Sequence, residues 1–183
     1  ARREALVQLQ SKVQVQGQLG DWLKRHRLDG LKPLWQRIRV DAGWELALEA
    51  VLRERLAALP AEDGQAALEA LADKVPGAFA FLLAATPETG PGTLAPDGTR
   101  PLLGHVTADA EVSAVLESWL GRVFATDELG GWIGRREELP LCACLVARDG
   151  RLLSRHALIH YAPDSRTHGV IERQREIDQL GAE

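Results

Sequence analysis

Residues 28–59, LDGLKPLWQRIRVDAGWELALEAVLRERLAAL, decide the fold class of this chain. Asp29-Gly30 marks a stop or turn. The stretch Trp35 to Val40 (WQRIRV) leads into a helix expected over roughly Trp44 to Leu59, with Leu46, Ala47, Ala50, Val51 and Leu56 on one side. Pro60 is expected to end that helix. A second helix is expected over about Gly64 to Lys74, and Ala78 to Ala84 (AFAFLLA) reads as a buried strand. Helix and strand alternate, so the body reads as α/β.

Downstream, residues 86–100 (TPETGPGTLAPDGTR) hold three prolines and three glycines and read as a loop joining two halves. Pro101 to Val106 is short and extended. A third helix is expected over Ala108 to Leu120, where Val112, Val115, Leu116 and Leu120 recur at helical spacing. Val123 to Thr126 reads as a short strand and Leu141 to Arg148 as another. Asp149-Gly150 is a hairpin turn, and Arg151 to Tyr161 forms the returning strand or strands.

Both ends have a different character. From Ala1 to His26, Leu6, Leu9, Val13, Gln16, Gly20 and Leu23 step by three and four, a heptad seam with two weak positions. From Ser165 to Leu180, Val170, Ile177 and Leu180 make a similar narrow stripe. So thin an apolar stripe needs a partner, and two helical arms leaving one body can pair antiparallel with each other.

Composition bounds the function. Of 183 residues, 45% are hydrophobic and 26% charged, which fits a packed domain and excludes a disordered tail or a fibre. The longest apolar run, Gly77 to Ala85, falls well short of the about twenty residues of a membrane-spanning helix. No secretory signal is visible. The net charge of −4 is unevenly spread: residues 1–40 hold nine Lys and Arg against three Asp and Glu. Cys142 and Cys144 sit two apart in an expected strand, so they would share a face as small buried residues with poor disulfide geometry. A reducing compartment follows.

Little catalytic chemistry is encoded. His156, His160 and His168 cluster late with Asp164 between them. In a strand, positions 156 and 160 share a face, and two imidazoles with a carboxylate can hold zinc or iron. A small metal-dependent enzyme is thus an alternative, and a coiled-coil adaptor using the arms is another. Ser154 lacks the glycine-flanked elbow of a nucleophile. Neither cysteine has an adjacent base, and both common phosphate-loop patterns are absent. A cationic signal is present: Lys24, Arg25, Arg27, Lys32, Arg37 and Arg39 fall within sixteen residues, with Trp22 and Trp35 among them to stack on unpaired bases.

The 28–59 stretch resembles the start of the hinge domain of SMC chromosome-segregation proteins. The residues that carry the likeness are Gly30, the Ile38-x-Val40 segment, and Gly43, Trp44, Glu45, Ala47, Glu49 and Leu52 of the following helix. Val146, Asp149, Gly150, Gly169 and Arg173 to Ile177 look like the hinge's last strands and returning coil. The likeness covers about residues 28–180. It implies an α+β, hinge-like domain at 28–165 with subdomains at about 28–90 and 101–165. That domain would be flanked by antiparallel coiled-coil arms at 1–27 and 166–183.

The resemblance further implies a non-catalytic homodimerisation module of a chromosome condensation and segregation ATPase. The dimer would be two-fold and doughnut-like, cytoplasmic and nucleoid-associated, with no cofactor and no membrane contact. The ATPase head, which binds kleisin and accessory subunits, would be absent from this chain. DNA would bind near the coil junction, where the basic cluster lies. The last strands of many family hinges carry a glycine-rich run; here Ser154 to Tyr161 (SRHALIHY) has none. Leu153, His156, Ala157, Leu158, Ile159, His160 and Tyr161 are the expected dimer interface.

Overall fold

A computed structural model describes residues 17–85, 93–162 and 171. Most of both expected arms therefore lies outside the described residues, including Leu6, Leu9, Val13 and Gln16 of the first and Val170, Ile177 and Leu180 of the second.

Residues 17–25 form helix α1. Strand β1 (Ile38–Val40) runs into a tight turn, and helix α2 (Glu45–Leu52) follows. The turn is closed by the Trp44 N–H donating to the Asp41 carbonyl at 3.1 Å, and by the Gly43 N–H donating to the Glu45 carboxylate at 2.7 Å. Gly43 sits at φ +86°, a position that strains any other residue, and a Cβ there would have to push aside the Arg148 guanidinium 2.8 Å away. On α2, Ala47, Leu48, Ala50 and Leu52 are buried.

The expected helix over 44–59 stops early. Arg53 takes φ +52° and residues Arg53–Ala57 tighten into a 3-10 turn. Intrinsic propensity favours continuing, since the stretch RERLAAL is made of good helix formers. Tertiary packing overrides it: Leu56 is fully buried, the Ala58 carbonyl accepts from the Leu34 N–H at 2.9 Å, and Leu59–Pro60 becomes strand β2. Pro60 thus lies in a strand and does not cap a helix. Helix α3 (Gly64–Ala72) opens on Asp63, whose side chain accepts from the Ala66 N–H at 2.8 Å. The expected buried strand over 78–84 contracts to β3 (Phe81–Leu82), parallel to β2, and Leu83 beyond it is exposed.

The second half begins with β4 (Arg100–Pro101), a 3-10 turn at Leu102–His105, and β5 (Val106–Ala108), which pairs antiparallel with β1. The expected single extended piece over 101–106 is therefore broken by a turn that buries Leu102. Helix α4 (Ala110–Leu120) buries Val112, Val115, Leu116 and Leu120, as its spacing predicts. After β6 (Val123–Ala125) comes a short helix α5 (Leu129–Trp132), which runs into a 3-10 turn at Ile133–Glu138. The sequence reading makes no assignment there. Parallel pairing of β6 with β7 (Cys144–Val146) needs such a crossover.

A hairpin turn at Asp149-Gly150 leads into β8 (Arg151–Leu153), and β9 (Leu158–His160) closes the sheet. Gly150 is at φ +79° and packs against Leu46 of α2 so closely that a Cβ would sit 3.2 Å from it. The five-stranded sheet has the order β4-β6-β7-β8-β9, antiparallel except at β6-β7. The larger hydrophobic cluster runs from Leu34 and Ile38 through α2 and α4 to Val146, Tyr161 and Ile171. A smaller one gathers Phe124, Leu129, Trp132, Leu139, Leu145 and Leu153.

The cysteines do not share a strand face. Cys142 is exposed in a turn at φ +61°, and the ladder begins only at Cys144. Burial pushes the Cys144 thiol up to about 11, away from thiolate chemistry.

Asp109 caps α4 by accepting from the Val112 N–H at 3.0 Å, and it also pairs with Arg37 at 3.1 Å. The cap hydrogen bond, together with Arg37, holds the Asp109 carboxyl below the usual carboxylate range. That contribution is complete above about pH 3.9 and disappears as pH falls through the lowered value. The Asp109 side chain is 49% exposed, so the amplitude stays below about 1 kcal/mol. Urea midpoints measured from about pH 5 to pH 2 are expected to fall less steeply in Asp109→Asn, which keeps the cap but does not titrate.

Candidate functional site

Two surfaces carry the residues singled out above. The first is the outer edge of the large sheet. β9 is the terminal strand, and among the described residues no strand pairs with its far side. Its backbone N–H and C=O groups on that side are a template for another strand. Leu158 is 61% exposed and Ile159 40% exposed, so both pleat faces of this strand present large apolar side chains to solvent. Ordinary folds hide such a strand.

The expected interface residues divide. His156 and Ala157 occupy the turn before β9, and together with Leu158, Ile159 and His160 they are exposed. Leu153 and Tyr161 are buried inside the protomer: Leu153 belongs to the smaller cluster and Tyr161 to the larger, under the Arg53 guanidinium at 5.9 Å. They anchor the two ends of the exposed stretch. Beside it a cavity of about 440 Å³ is lined by Ile133, Arg136, Arg155, His156 and Leu158. Arg155 is held there by donating to the Leu139 carbonyl at 2.6 Å. Because His156 lies outside β9, the four-residue step to His160 is not one strand face. Among the described residues no three His, Cys, Asp or Glu converge as metal ligands; Asp164 and His168 lie outside them.

A complementary surface lies on α3, which sequence reasoning missed. Leu68 and Leu71, three apart on one helix face, are 65% and 44% exposed. Residues 61–73 contain Glu62, Asp63 and Glu69, besides Asp73, which Arg25 and His26 meet, and no Lys or Arg; residues 150–162 contain Arg155, His156 and His160, besides Arg151, which Asp149 meets at 2.7 Å, and no Asp or Glu. One apolar patch is rimmed by acid, the other by base. The signal in the sequence is this charge segregation; the outward turn of the two leucines is a tertiary fact.

The second surface is the junction between α1 and the body. Lys24, Arg25, Arg27, Lys32 and Arg39 are exposed. Arg37 is 18% exposed and reaches Asp109 at 3.1 Å and Glu111 at 2.9 Å, so its charge is met within the fold. Trp22 is fully buried, with ring centroids 4.6 Å from His26 and 5.1 Å from Phe79. It anchors α1 and is not available to stack on a base. Trp35 is half-buried and lines a largely apolar cavity of about 690 Å³ together with Leu23, Leu28, Phe79 and Tyr161. Among the described residues no helix is long and apolar enough to cross a membrane.

Comparison with known proteins yields one consistent family. The family model described as "SMC proteins Flexible Hinge Domain" matches residues 28–130. The chromosome partition protein Smc of Thauera aminoaromatica is 42% identical over 217 residues, covering 100% of this chain and 18% of that protein. The Smc of Burkholderia pseudomallei is also 42% identical, over 98% of this chain and 15% of its own length. The chain thus spans less than a fifth of these curated relatives. Among solved structures, the asymmetric dimer of the Geobacillus stearothermophilus SMC hinge domain superimposes with a TM-score of 0.62 at 22% identity, over 99% of this chain and 86% of that one. The Pyrococcus furiosus SMC hinge domain gives a TM-score of 0.57 at 19% identity, over 85% of this chain and 91% of that one.

Proposed function

The chain belongs to the SMC hinge family, and from that premise we propose that it is a non-catalytic module that joins two copies of a chromosome partition protein. The open edge of β9, with Leu158 and Ile159 exposed on its two faces, is the observation that carries this reading. A second copy adds a strand or lays an apolar face there. The acid-rimmed α3 surface of the other copy is the complementary patch. Two-fold symmetry then makes the same contact twice, β9 to α3 and α3 to β9. Charge complementarity sets the register and apolar burial supplies the affinity. Dimeric mass of this chain, lost when β9 carries charged residues, is the test.

In the full-length protein the ATPase head and the sites for kleisin and accessory subunits lie outside these residues. The assembly works on the nucleoid in the cytoplasm. The basic junction is a second contact surface, for the phosphates of DNA. Exposed Lys24, Arg25, Arg27, Lys32 and Arg39 support it, while Arg37 contributes little because Asp109 and Glu111 already meet its charge. Changing Lys24, Arg25 and Arg27 together to Glu is expected to weaken oligonucleotide binding by about ten-fold or more at low salt. It should also flatten the dependence of affinity on salt. Fluorescence anisotropy across a salt series checks both; an unchanged slope removes the junction from the DNA-binding surface.

A further inference from the structure

The turn that ends α1 holds an arginine where its backbone favours glycine. The Arg27 N–H donates to the Lys24 carbonyl at 3.1 Å and the Leu28 N–H to the Leu23 carbonyl at 2.8 Å. This double closure places Arg27 at φ +57°, a left-handed position that glycine occupies without strain. Nothing in the packing asks for arginine: its side chain is exposed and makes no hydrogen bond or ion pair with another described residue. Strain kept at such a position points to use.

Next to it, Arg25 and His26 share one carboxylate. Asp73 lies 3.4 Å from the Arg25 guanidinium and 3.1 Å from the His26 ring. The His26 hydrogen bond holds the Asp73 carboxyl below the usual carboxylate range, so the group is ionised. The His26 ring is set against Trp22, which is itself packed on Phe79, so this donor is fixed in place. The helix-end carbonyls of Leu23 and Lys24, which would repel an anion, already accept from the two N–H groups of the turn. Arg25 and the His26 ring thus converge on one carboxylate, and the exposed Arg27 side chain follows them at the same turn.

We propose that Arg25, His26 and Arg27 form a seat for one phosphodiester of a nucleic-acid strand, and that Asp73 fills this seat until the strand displaces it. The proposal rests on the junction being a nucleic-acid contact. It adds a ring that takes part in binding and a carboxylate that opposes it. Displacement exchanges one oxyanion for another on the same donors and returns Asp73, already 41% exposed, to water.

The test is anisotropy of the intact chain with one labelled oligonucleotide, single-stranded in one arm and duplex in the other. Asp73→Asn is expected to tighten binding about three- to five-fold, the scale of an exposed ion pair. Asp29→Asn, which removes the same charge from the same surface, should change it by less than about two-fold. In an Arg25→Gln background the gain from Asp73→Asn should shrink, because only the His26 ring is then freed. Arg27→Gly should weaken binding while raising the melting temperature, because it relieves the strain. Equal gains from Asp73→Asn and Asp29→Asn, or a gain undiminished by Arg25→Gln, overturns the stand-in role. Unchanged affinity in Arg27→Gly overturns its place in the seat. If triple charge reversal weakens binding while Asp73→Asn does nothing, the junction reading stands and this proposal falls. If no form binds either oligonucleotide, both fall.

Discussion

Leu158→Asp combined with Ile159→Asp is expected to convert a dimer into a monomer without unfolding it. Fully burying one such side chain contributes about 1.5–3 kcal/mol; Leu158 and Ile159 have 61% and 40% left to bury and the two-fold axis makes the contact twice, so the double change removes about 3–6 kcal/mol, or roughly a hundred- to ten-thousand-fold in the dissociation constant. The protomer itself should stay folded. Leu158 is 61% exposed, and Ile159, 40% exposed on the edge strand, gives up about 1–2 kcal/mol of burial, which a folded domain tolerates. Sedimentation or light scattering reads the mass, and circular dichroism reads the fold. The pairing of β9 with the acidic α3 face adds a directional check. Charge reversal at Arg155 should weaken the dimer, and compensating reversal at Glu69 should recover part of the loss if the two patches meet. A variant that stays dimeric with both aspartates in place would move the interface away from β9.

The second large effect is in the body. Trp44→Ala is expected to cost about 3–5 kcal/mol, the range for deleting a buried large aromatic. Trp44 is 3% exposed and belongs to the larger cluster. Its ring stacks on His105 with centroids 4.6 Å apart, and the Arg148 guanidinium lies 4.5 Å from its centre. His105 in turn hydrogen-bonds Asp41 at 3.0 Å, and Arg148 pairs with Asp127 at 2.7 Å. One ring thus supports contacts between the β1–α2 turn and two places in the second half. The melting temperature should drop by roughly 6–20 °C for a chain of this size, compared at equal protomer concentration. A drop under about 2 °C would mean that the site collapses around the cavity and that the stack is not a structural support.

Where local chemistry decides, the sequence is readable. The Asp149-Gly150 turn, the periodicity of α4 and the turn-to-helix entry at Gly43-Trp44-Glu45 depend on residues within a few positions of one another. So did the motif that pointed to the hinge family. Where tertiary contacts decide, it is not. Nothing local stops α2 at Leu52; the burial of Leu56 and the strand pairing of Leu59 do. The heptad seam assigns the inward position near the end of α1 to Leu23, yet Trp22 is the fully buried residue, because this turn packs on Phe79 of the body. Cys142 looks like a strand residue by composition and sits in a turn at positive φ.

The same division runs through the candidate sites. The stretch 153–161 could be singled out in the sequence because it resembles the last strands of the family's hinge. The β8–β9 register pairs Leu153 with Leu158 and Leu152 with Ile159, so each pair shares a sheet face; the β8 members are covered, and Leu158 and Ile159 are left open because β9 is the edge strand. The exposed leucines of α3 have the spacing of an ordinary buried face, and only the fold shows that this face is open. In the basic cluster, Arg37 differs from Arg27 in nothing the sequence displays. The structure gives one of them two carboxylates and leaves the other exposed at a strained turn.

The central claim is that this hinge joins two copies through the β9 edge of its body. The most direct measurement is the molar mass of the chain by light scattering over a dilution series. A dimer through β9 gives a mass twice that of the 20.0 kDa chain, persisting into the micromolar range and below. A mass that stays at 20.0 kDa throughout the series would contradict it.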